Sequence, residues 1–463
     1  TATAQKYCEL SQAEINFLES KEKPIVLARK RITVGISDAV APKTSRLGIM
    51  LPYTPLHLLL LEPQKGFPDI LVMTSANLSE EPIAYTNSDA FSRLETIADA
   101  FLIHNREIYM RADDSVLTAF RNQAYLSRRA RGFAPQPIPL PEESPMILAT
   151  GAELKNTFCL SKDRYAFLSH HIGDLENAET LRSFEKAIIH YERIFRVQPD
   201  VIACDLHPDY LASQYAEQRA CRGELPLLQI QHHHAHLAAC LADNGWNSGE
   251  KVIGIILDGT GLGSDNTIWG GEFLLGNYDG FERKYHLQTT PQPGGDAATQ
   301  IPSRMALAHL WQASIPWDEN LAPVDYFTDK EKSVLQQQLK QSINSPLTSS
   351  MGRLFDAAAA LIGIREKVAY EAQAAIELEA LCVDDEKGYY PVFVEQDQIK
   401  VNTLWQQLIQ DIKSQTPVAI LATRFHNSIV KMIHEVTLKM REESGINVVV
   451  LSGGVWQNEY LLS

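Results

Sequence analysis

Four histidines fall within five positions in Gln231-His232-His233-His234-Ala235-His236, although the whole 463-residue chain holds only 14. The run follows the apolar residues Leu227, Leu228 and Ile230 and opens an alanine-rich helical pattern. His232 and His236 are four apart, so a helix beginning here sets both imidazoles on one face. Neutral imidazoles at that spacing commonly grip a divalent metal. The bland alternative is a run of surface or helix-start histidines; the density of the cluster favours the metal.

A second landmark, Leu257-Asp258-Gly259-Thr260-Gly261-Leu262-Gly263-Ser264, directly follows the apolar run Val252 to Leu257. Alternate glycines let backbone approach a ligand and aim amides at phosphate oxygens. Asp258, at the end of a strand, can bind a metal that also touches phosphate. Thr267 to Leu275 again reads as strand, so the glycines form a hairpin turn. Without a following helix the motif is neither a Rossmann fingerprint nor a P-loop. A third landmark, Leu451-Ser452-Gly453-Gly454-Val455 with Asn458, sets another small-residue turn after an apolar strand, where nucleotides sit in α/β proteins. A fourth is the turn Gly151 to Thr157, which carries Lys155 and Asn156 and can meet a phosphate. Three such turns with a histidine cluster point to a nucleotide cleft with a metal.

Smaller patches admit two readings each. Asp205-Leu206-His207-Pro208 is a site or a helix cap. Arg353 and Asp356, three apart before an alanine run, serve a nucleotide or only each other. Pro293 to Asp296 with Arg304 is a substrate clamp or a polar loop. Glu371, in Tyr370-Glu371-Ala372-Gln373, is a ribose contact or helix surface. Nearer the start, Met73 to Ser79 closes an apolar run with the hydroxyls of Thr74, Ser75 and Ser79 and the amide of Asn77, suited to phosphate or carbonyl recognition. Asp113-Asp114-Ser115 adds a polar loop. Arg128-Arg129-Ala130-Arg131-Gly132 offers guanidiniums suited to bidentate anion binding, or simply a solvated basic face.

These residues need strands and helices to hold them. Short apolar runs, Pro24 to Leu27 and Asp69 to Met73, alternate with turn clusters and predict an α/β domain. The proline-rich stretch Ala134 to Pro145 is expected to interrupt regular structure and to mark a domain boundary. After it, Met146–Ala149, Thr157–Leu160 and Tyr165–Leu168 predict an antiparallel meander. Leu181, Phe184, Ile188, Tyr191 and Phe195 follow a helical period, and Val201–Cys204 and a helix from Asp209 to about Arg219 come next. Late in the chain Phe425, Ile429, Ile433, Val436 and Met440 line one helix face up to a Gly445 cap. Val448 to Leu451 then reads as a strand buried on both faces. Meander, helices, meander, helices suggest two similar lobes.

Hydrophobic residues at 45% and charged residues at 21% describe an ordinary globular protein, long enough for two or three domains. No apolar run approaches a membrane span. Six dispersed cysteines without a Cys-x-x-Cys pair fit free thiols in a reducing, cytoplasmic compartment. A net charge of -15 argues against a broad grip on nucleic acid. The first residue is not Met, and the chain is expected to be part of a longer protein.

Together these motifs resemble a known family. Thr74-Ser75-Ala76-Asn77, the Asp-Asp-Ser and the Arg-Arg-Ala-Arg-Gly-Phe segments resemble the second half of a YrdC-like domain. The histidine cluster, Leu257 to Gly263 and Ser452 to Val455 look like the ATP-and-metal site of a carbamoyl transferase of the actin/Hsp70-like (ribonuclease H-like) superfamily. Gly151 to Leu160 and Gly352 to Asp356 look like further turns of that fold. The order, YrdC-like first, is that of the nickel–iron hydrogenase maturation carbamoyltransferases, the HypF family. Natural-product O-carbamoyltransferases reverse it, and enzymes of tRNA threonylcarbamoylation usually separate the two domains.

The resemblance implies a partial YrdC-like α/β domain at 1–138 and a transferase domain at 146–463, with lobes near 146–248 and 249–463. It also implies that acylphosphatase and zinc-finger segments, the first half of the YrdC-like domain and a final metal-binding motif lie outside this chain. The implied reaction joins carbamoyl phosphate and ATP, through carbamoyl adenylate, to the C-terminal cysteine of a partner maturation protein. His232, His236 and Asp258 would be catalytic and hold a divalent ion (Zn, Fe or Mg). Lys155, Asn156, Gly259, Gly261, Gly263, Asp356, Glu371, Ser452, Gly453 and Gly454 would bind Mg-ATP. Ser75, Asn77, Ser115, Arg129 and Arg131 would form the adenylate site of the YrdC-like part. A small-molecule kinase of the same superfamily and a non-catalytic nucleotide-dependent scaffold are the rivals.

Overall fold

A computed structural model describes residues 1–31, 35–78 and 81–463. The chain divides into two compact units, Thr1–Ile230 and Gln231–Ser463. Among the described residues no helix is long and apolar enough to cross a membrane.

The first unit contains two five-stranded sheets. In one, Ile25–Lys30 is central, flanked by Arg46–Ile49 and Val116–Phe120, with Gln123–Arg128 as an outer hairpin partner. Leu18, Val26 and Leu117 are buried together behind it. The other sheet runs Leu227–Ile230, Val201–Asp205, Ile147–Ala149, Cys159–Leu168, Pro137–Ser144. The helix Ala178–Phe195 packs Phe184, Ile188 and Tyr191 into its core, as the periodicity predicts, and Asn177 caps it.

Three expectations need correction here. Asp69–Met73 forms no strand; Val72 and Met73 are exposed, because an apolar run becomes a strand only where a neighbour pairs with it. The proline-rich stretch does not end regular structure: Pro137–Ser144 is an edge strand, the one sheet position where missing amide donors are tolerated. Thr157–Leu160 and Tyr165–Leu168 join in one strand, Cys159–Leu168, with Asp163 at φ 56 where the pairing shifts register. Ser79 lies outside the described residues.

The second unit is built on a six-stranded sheet in which Val252–Leu257 lies between Gly271–Gly276 and the edge strand Val449–Ser452. All six residues of Val252–Leu257 are buried, and they divide by side. Ile253, Ile255 and Leu257 face the large core under the helices Pro302–Gln312, Met351–Leu361 and Val418–Ser444. Val252 and Ile256 face Leu237 and Leu241 of the histidine helix His232–Asp243. Val449–Ser452 pairs parallel to Val252–Leu257. It is an edge strand with Val450 buried and Val449 and Leu451 exposed, so the expectation of burial on both faces is corrected. The long helix ends at Gly445, φ 74, as its C-cap.

Candidate metal and nucleotide site

The start of the histidine helix is fixed by Gln231. Its Oε1 accepts from the His234 amide at 2.9 Å, and its Nε2 donates to the Leu262 carbonyl at 3.1 Å. One side chain thus caps the helix and ties it to the glycine turn. His232 and His236 then project from one face, each with Nε2 3.3 Å from Asp258 Oδ2. One ligand atom from each of the three lies within 4.8 Å of the others, the one such group of three among the described residues.

The carboxylate is held from its other side. The Gly454 amide donates to Asp258 Oδ1 at 3.0 Å, and Ser452 Oγ lies 3.2 Å from His236 Nδ1. Burial pushes the Asp258 carboxyl up, but the His232 and His236 hydrogen bonds outweigh it and hold it well below the usual carboxylate range. The middle histidine, His233, is fully buried; burial drives its pKa down to about 3, so it stays neutral. Two imidazoles and a carboxylate are a donor set that fits a divalent ion. With such an ion on Nε2, the His236 Nδ1–H would donate to Ser452, which orients the ring.

Backbone crowding explains two of the glycines. A Cβ on Gly261 would stand 2.7 Å from the His233 ring and 2.8 Å from that of His232. Gly453 has φ 102, and a Cβ there would lie 2.2 Å from the Leu257 carbonyl oxygen. Val252–Leu257 and Gly271–Gly276 pair antiparallel with Leu257 opposite Gly271, so the glycine run is the connection of a hairpin, as expected. Gly259 meets the start of the helix Met351–Leu361, where Ser350 Oγ donates to its carbonyl at 2.7 Å and the Gly352 amide donates to the Asp258 carbonyl at 3.2 Å.

Behind the turn, the buried Glu272 accepts from Arg283 Nε at 2.6 Å and from the Gly270 and Gly271 amides. The Arg283 guanidinium also lies over the Trp269 ring, 4.0 Å from its centroid. Sequence reasoning assigned no role to Gln231, Ser350, Glu272 or Arg283. Gln231 carried a signal, a polar residue directly before a helix start; Glu272 and Arg283 are brought in by pairing across the sheet, and Ser350 by the approach of the helix it caps.

The second unit therefore brings together His232, His236, Asp258, Gly259, Gly261, Ser452, Gly453 and Gly454. Asp356 is buried in the helix Met351–Leu361 and ion-paired with Arg353 at 2.9 Å; burial pushes its carboxyl up and Arg353 opposes the rise. Glu371 is exposed just before the helix Gln373–Glu379.

In the first unit, Asn156 is buried, and its amide donates to the Thr150 carbonyl at 2.9 Å, which shapes the turn. Lys155, at φ 49, donates its backbone amide to Asp174. Ser115 is buried between the Ala130 amide and the Arg131 carbonyl. Arg131 bonds Asp114 at 2.7 Å and the carbonyls of Glu22 and Lys23, and Arg129 bonds the Gln136 carbonyl. Ser75 is exposed, and Asn77 donates to the Leu78 carbonyl; no hydrogen bond among the described residues ties either to Ser115 or the arginines.

Known proteins resemble this chain in sequence and fold. A family model described as the HypF Kae1-like domain matches residues 142–243. One described as a carbamoyltransferase Kae1-like domain, second subdomain, matches 254–463, and a Sua5/YciO/YrdC model, described as telomere recombination, matches 1–130. The Synechocystis carbamoyltransferase HypF is 41% identical over 97% of this chain and 60% of its own length. A HypF homologue from Cupriavidus necator is 33% identical over 70% of this chain and 84% of its own. The crystal structure of a full-length HypF in a phosphate- and nucleotide-bound form superposes with a TM-score of 0.92 at 41% identity, over 100% of this chain and 72% of that one.

An α/β fold of YrdC-like and Kae1-like parts, with a His/His/Asp centre at its strand ends, defines the class. The chain belongs to the HypF carbamoyltransferase family. It spans about 60% of the length of several of its curated relatives.

Proposed function

We propose that the protein is an ATP-dependent carbamoyltransferase of hydrogenase maturation, acting in the cytoplasm. Carbamoyl phosphate is hydrolysed to carbamate and phosphate. A carbamate oxygen attacks the α-phosphorus of Mg-ATP, pyrophosphate leaves, and carbamoyl adenylate forms. The C-terminal cysteine thiolate of a partner maturation protein then attacks the carbamoyl carbon. The carbon–oxygen bond to AMP breaks, and a thiocarbamate results, the precursor of a cyanide ligand. The domain division at 1–138 and 146–463, with lobes near 146–248 and 249–463, belongs to this reading; the separate family models support it.

The observation that carries the proposal is the approach of His232, His236 and Asp258, closed by the Gly454 amide. These three residues would hold a divalent ion (Zn, Fe or Mg), which when bound supplies Lewis acidity to carbamoyl or phosphate oxygens. The amides around Gly259, Gly261 and Gly453 would face the nucleotide phosphates, with Gly263, whose amide bonds the Thr267 carbonyl, closing the turn and Asp356, Glu371, Ser452 and Gly454 alongside; Lys155 and Asn156 of the first unit would also serve the nucleotide. Ser75, Asn77, Ser115, Arg129 and Arg131 would serve the YrdC-like step. Asn156, Ser115 and Arg131 would act largely by shaping backbone, given their internal bonds.

The test is mass spectrometry of a cysteine-terminated acceptor after incubation with the protein, carbamoyl phosphate and Mg-ATP, with released nucleotide assayed alongside. A carbamoyl increment on the thiol with AMP formed supports the reading. An unmodified thiol with ADP formed replaces it with a kinase.

A further inference from the structure

A cavity of about 370 Å³ opens in the first unit, and no residue expected to bind adenylate or metal lines it. One wall is the helix Ala178–Phe195, on which Lys186, His190 and Arg193 recur at helical spacing. The opposite wall is the segment Tyr109 to Arg111, with His170 beneath. Three fixed cations thus converge on one concavity with no carboxylate among the described residues of its lining, in a chain whose net charge is -15.

Arg111 is the anchor. It is buried at 9% exposure, and its Nη2 donates to the Ile172 carbonyl at 2.8 Å. Among the described residues no carboxylate closes on Arg111, Lys186 or Arg193 within ion-pair distance; Asp113 acts on Arg111 only through its field. A buried guanidinium without a counter-ion is electrostatically costly, and an incoming anion relieves that cost. Arg193 Nη2 donates to the Tyr109 hydroxyl at 3.3 Å, and the Tyr109 and His190 rings lie 5.1 Å apart, so the rim is braced. His190 Nδ1 is buried without a hydrogen-bond partner, and burial lowers the pKa of both His190 and His170. The imidazoles are therefore neutral hydrogen-bonding groups beside the three charges.

We propose that this cavity binds the phosphate group of a small molecule, with Arg111, Lys186 and Arg193 as the cationic contacts. The volume suits a compact ligand rather than a polymer. Such an anion would bind more weakly as salt rises, because Lys186 and Arg193 are exposed.

The experiment is isothermal titration of the protein with inorganic pyrophosphate, without divalent metal, repeated in the presence of AMP. Lys186→Gln with Arg193→Gln removes two solvent-facing charges and leaves the helix core untouched. It should weaken pyrophosphate binding roughly tenfold, given what exposed ion pairs contribute. The matched double variant Lys330→Gln with Lys340→Gln, which makes the same charge change on another helix, should leave affinity unchanged. Arg111→Lys should also weaken binding, since it keeps the charge and loses the fork. Competition by AMP at the sensitive site identifies nucleotide phosphate as the source, and its absence identifies a free oxyanion; both support the site. No saturable binding, equal affinity in Lys186→Gln/Arg193→Gln, or equal loss in the matched control overturns it.

Discussion

Gly453→Ala probes the centre through backbone alone. Gly453 sits at φ 102 and ψ 157, a region essentially closed to other residues, where strain costs about 1–3 kcal/mol. The new Cβ would stand 2.2 Å from the Leu257 carbonyl oxygen and 2.7 Å from its carbon. Leu257 belongs to a strand buried along its whole length, so the turn must yield instead. Its movement draws the Gly454 amide off Asp258 and Ser452 off His236. A lost hydrogen bond to a charged group adds about 1.5–3 kcal/mol. Together these reach about 2.5–6 kcal/mol, which should lower the melting temperature of the second unit by roughly 5–24 °C. Metal affinity should fall about 10- to 100-fold, the usual effect of disturbing the groups behind a ligand. Scanning calorimetry and competition with a chromophoric chelator read both quantities. Wild-type melting and wild-type metal affinity in Gly453→Ala would refute the packing argument.

Other perturbations separate the parts. Gln231→Ala should cost about 1 kcal/mol through the lost cap and loosen the tie to Leu262, with reduced metal affinity in the same chelator assay. Glu272→Gln removes the buried carboxylate from Arg283, which keeps Asp265 as its other partner, and should destabilise by about 1.5–3 kcal/mol in denaturant unfolding. Burial pushes the Glu272 carboxyl up, but Arg283 outweighs it and the folded value lies below the ordinary 4.5. Its stabilisation is therefore present above about pH 4.5 and lost as pH falls through the depressed folded value; Glu272→Gln should remove that part of the acid dependence. His309 is buried beside Trp405, and burial lowers its pKa from 6.5 to about 3. The unfolded chain alone binds this proton between those values, so stability should fall by about 1.4 kcal/mol per pH unit below 6.5. His309→Gln should flatten that slope in acid titrations of unfolding.

The centre was legible in the sequence because it is made of local patterns. His232 and His236 share a helix face, Asp258 ends a strand, and Gly261 and Gly453 mark close backbone approach. What stayed hidden depends on pairing between distant segments. Asp69–Met73 has the composition of a strand but pairs with no strand among the described residues. Pro137–Ser144 lacks several amide donors and still forms an edge strand, because only one side of an edge needs them. Val449–Ser452 is apolar up to Ser452 yet half exposed, since composition cannot distinguish an edge strand from a central one. Ser350 and Glu272 are ordinary residues in the sequence; only the approach of the helix Met351–Leu361 to the glycine turn gives Ser350 its task.

The most direct test of the account is the metal content of the protein after exhaustive dialysis against a divalent ion, measured beside Asp258→Asn and His236→Ala. The account predicts about one ion per chain in the wild type, as a three-donor site requires, and its loss in both variants with folding retained. An unaltered ion count in either variant, or no bound ion in the wild type, would contradict it.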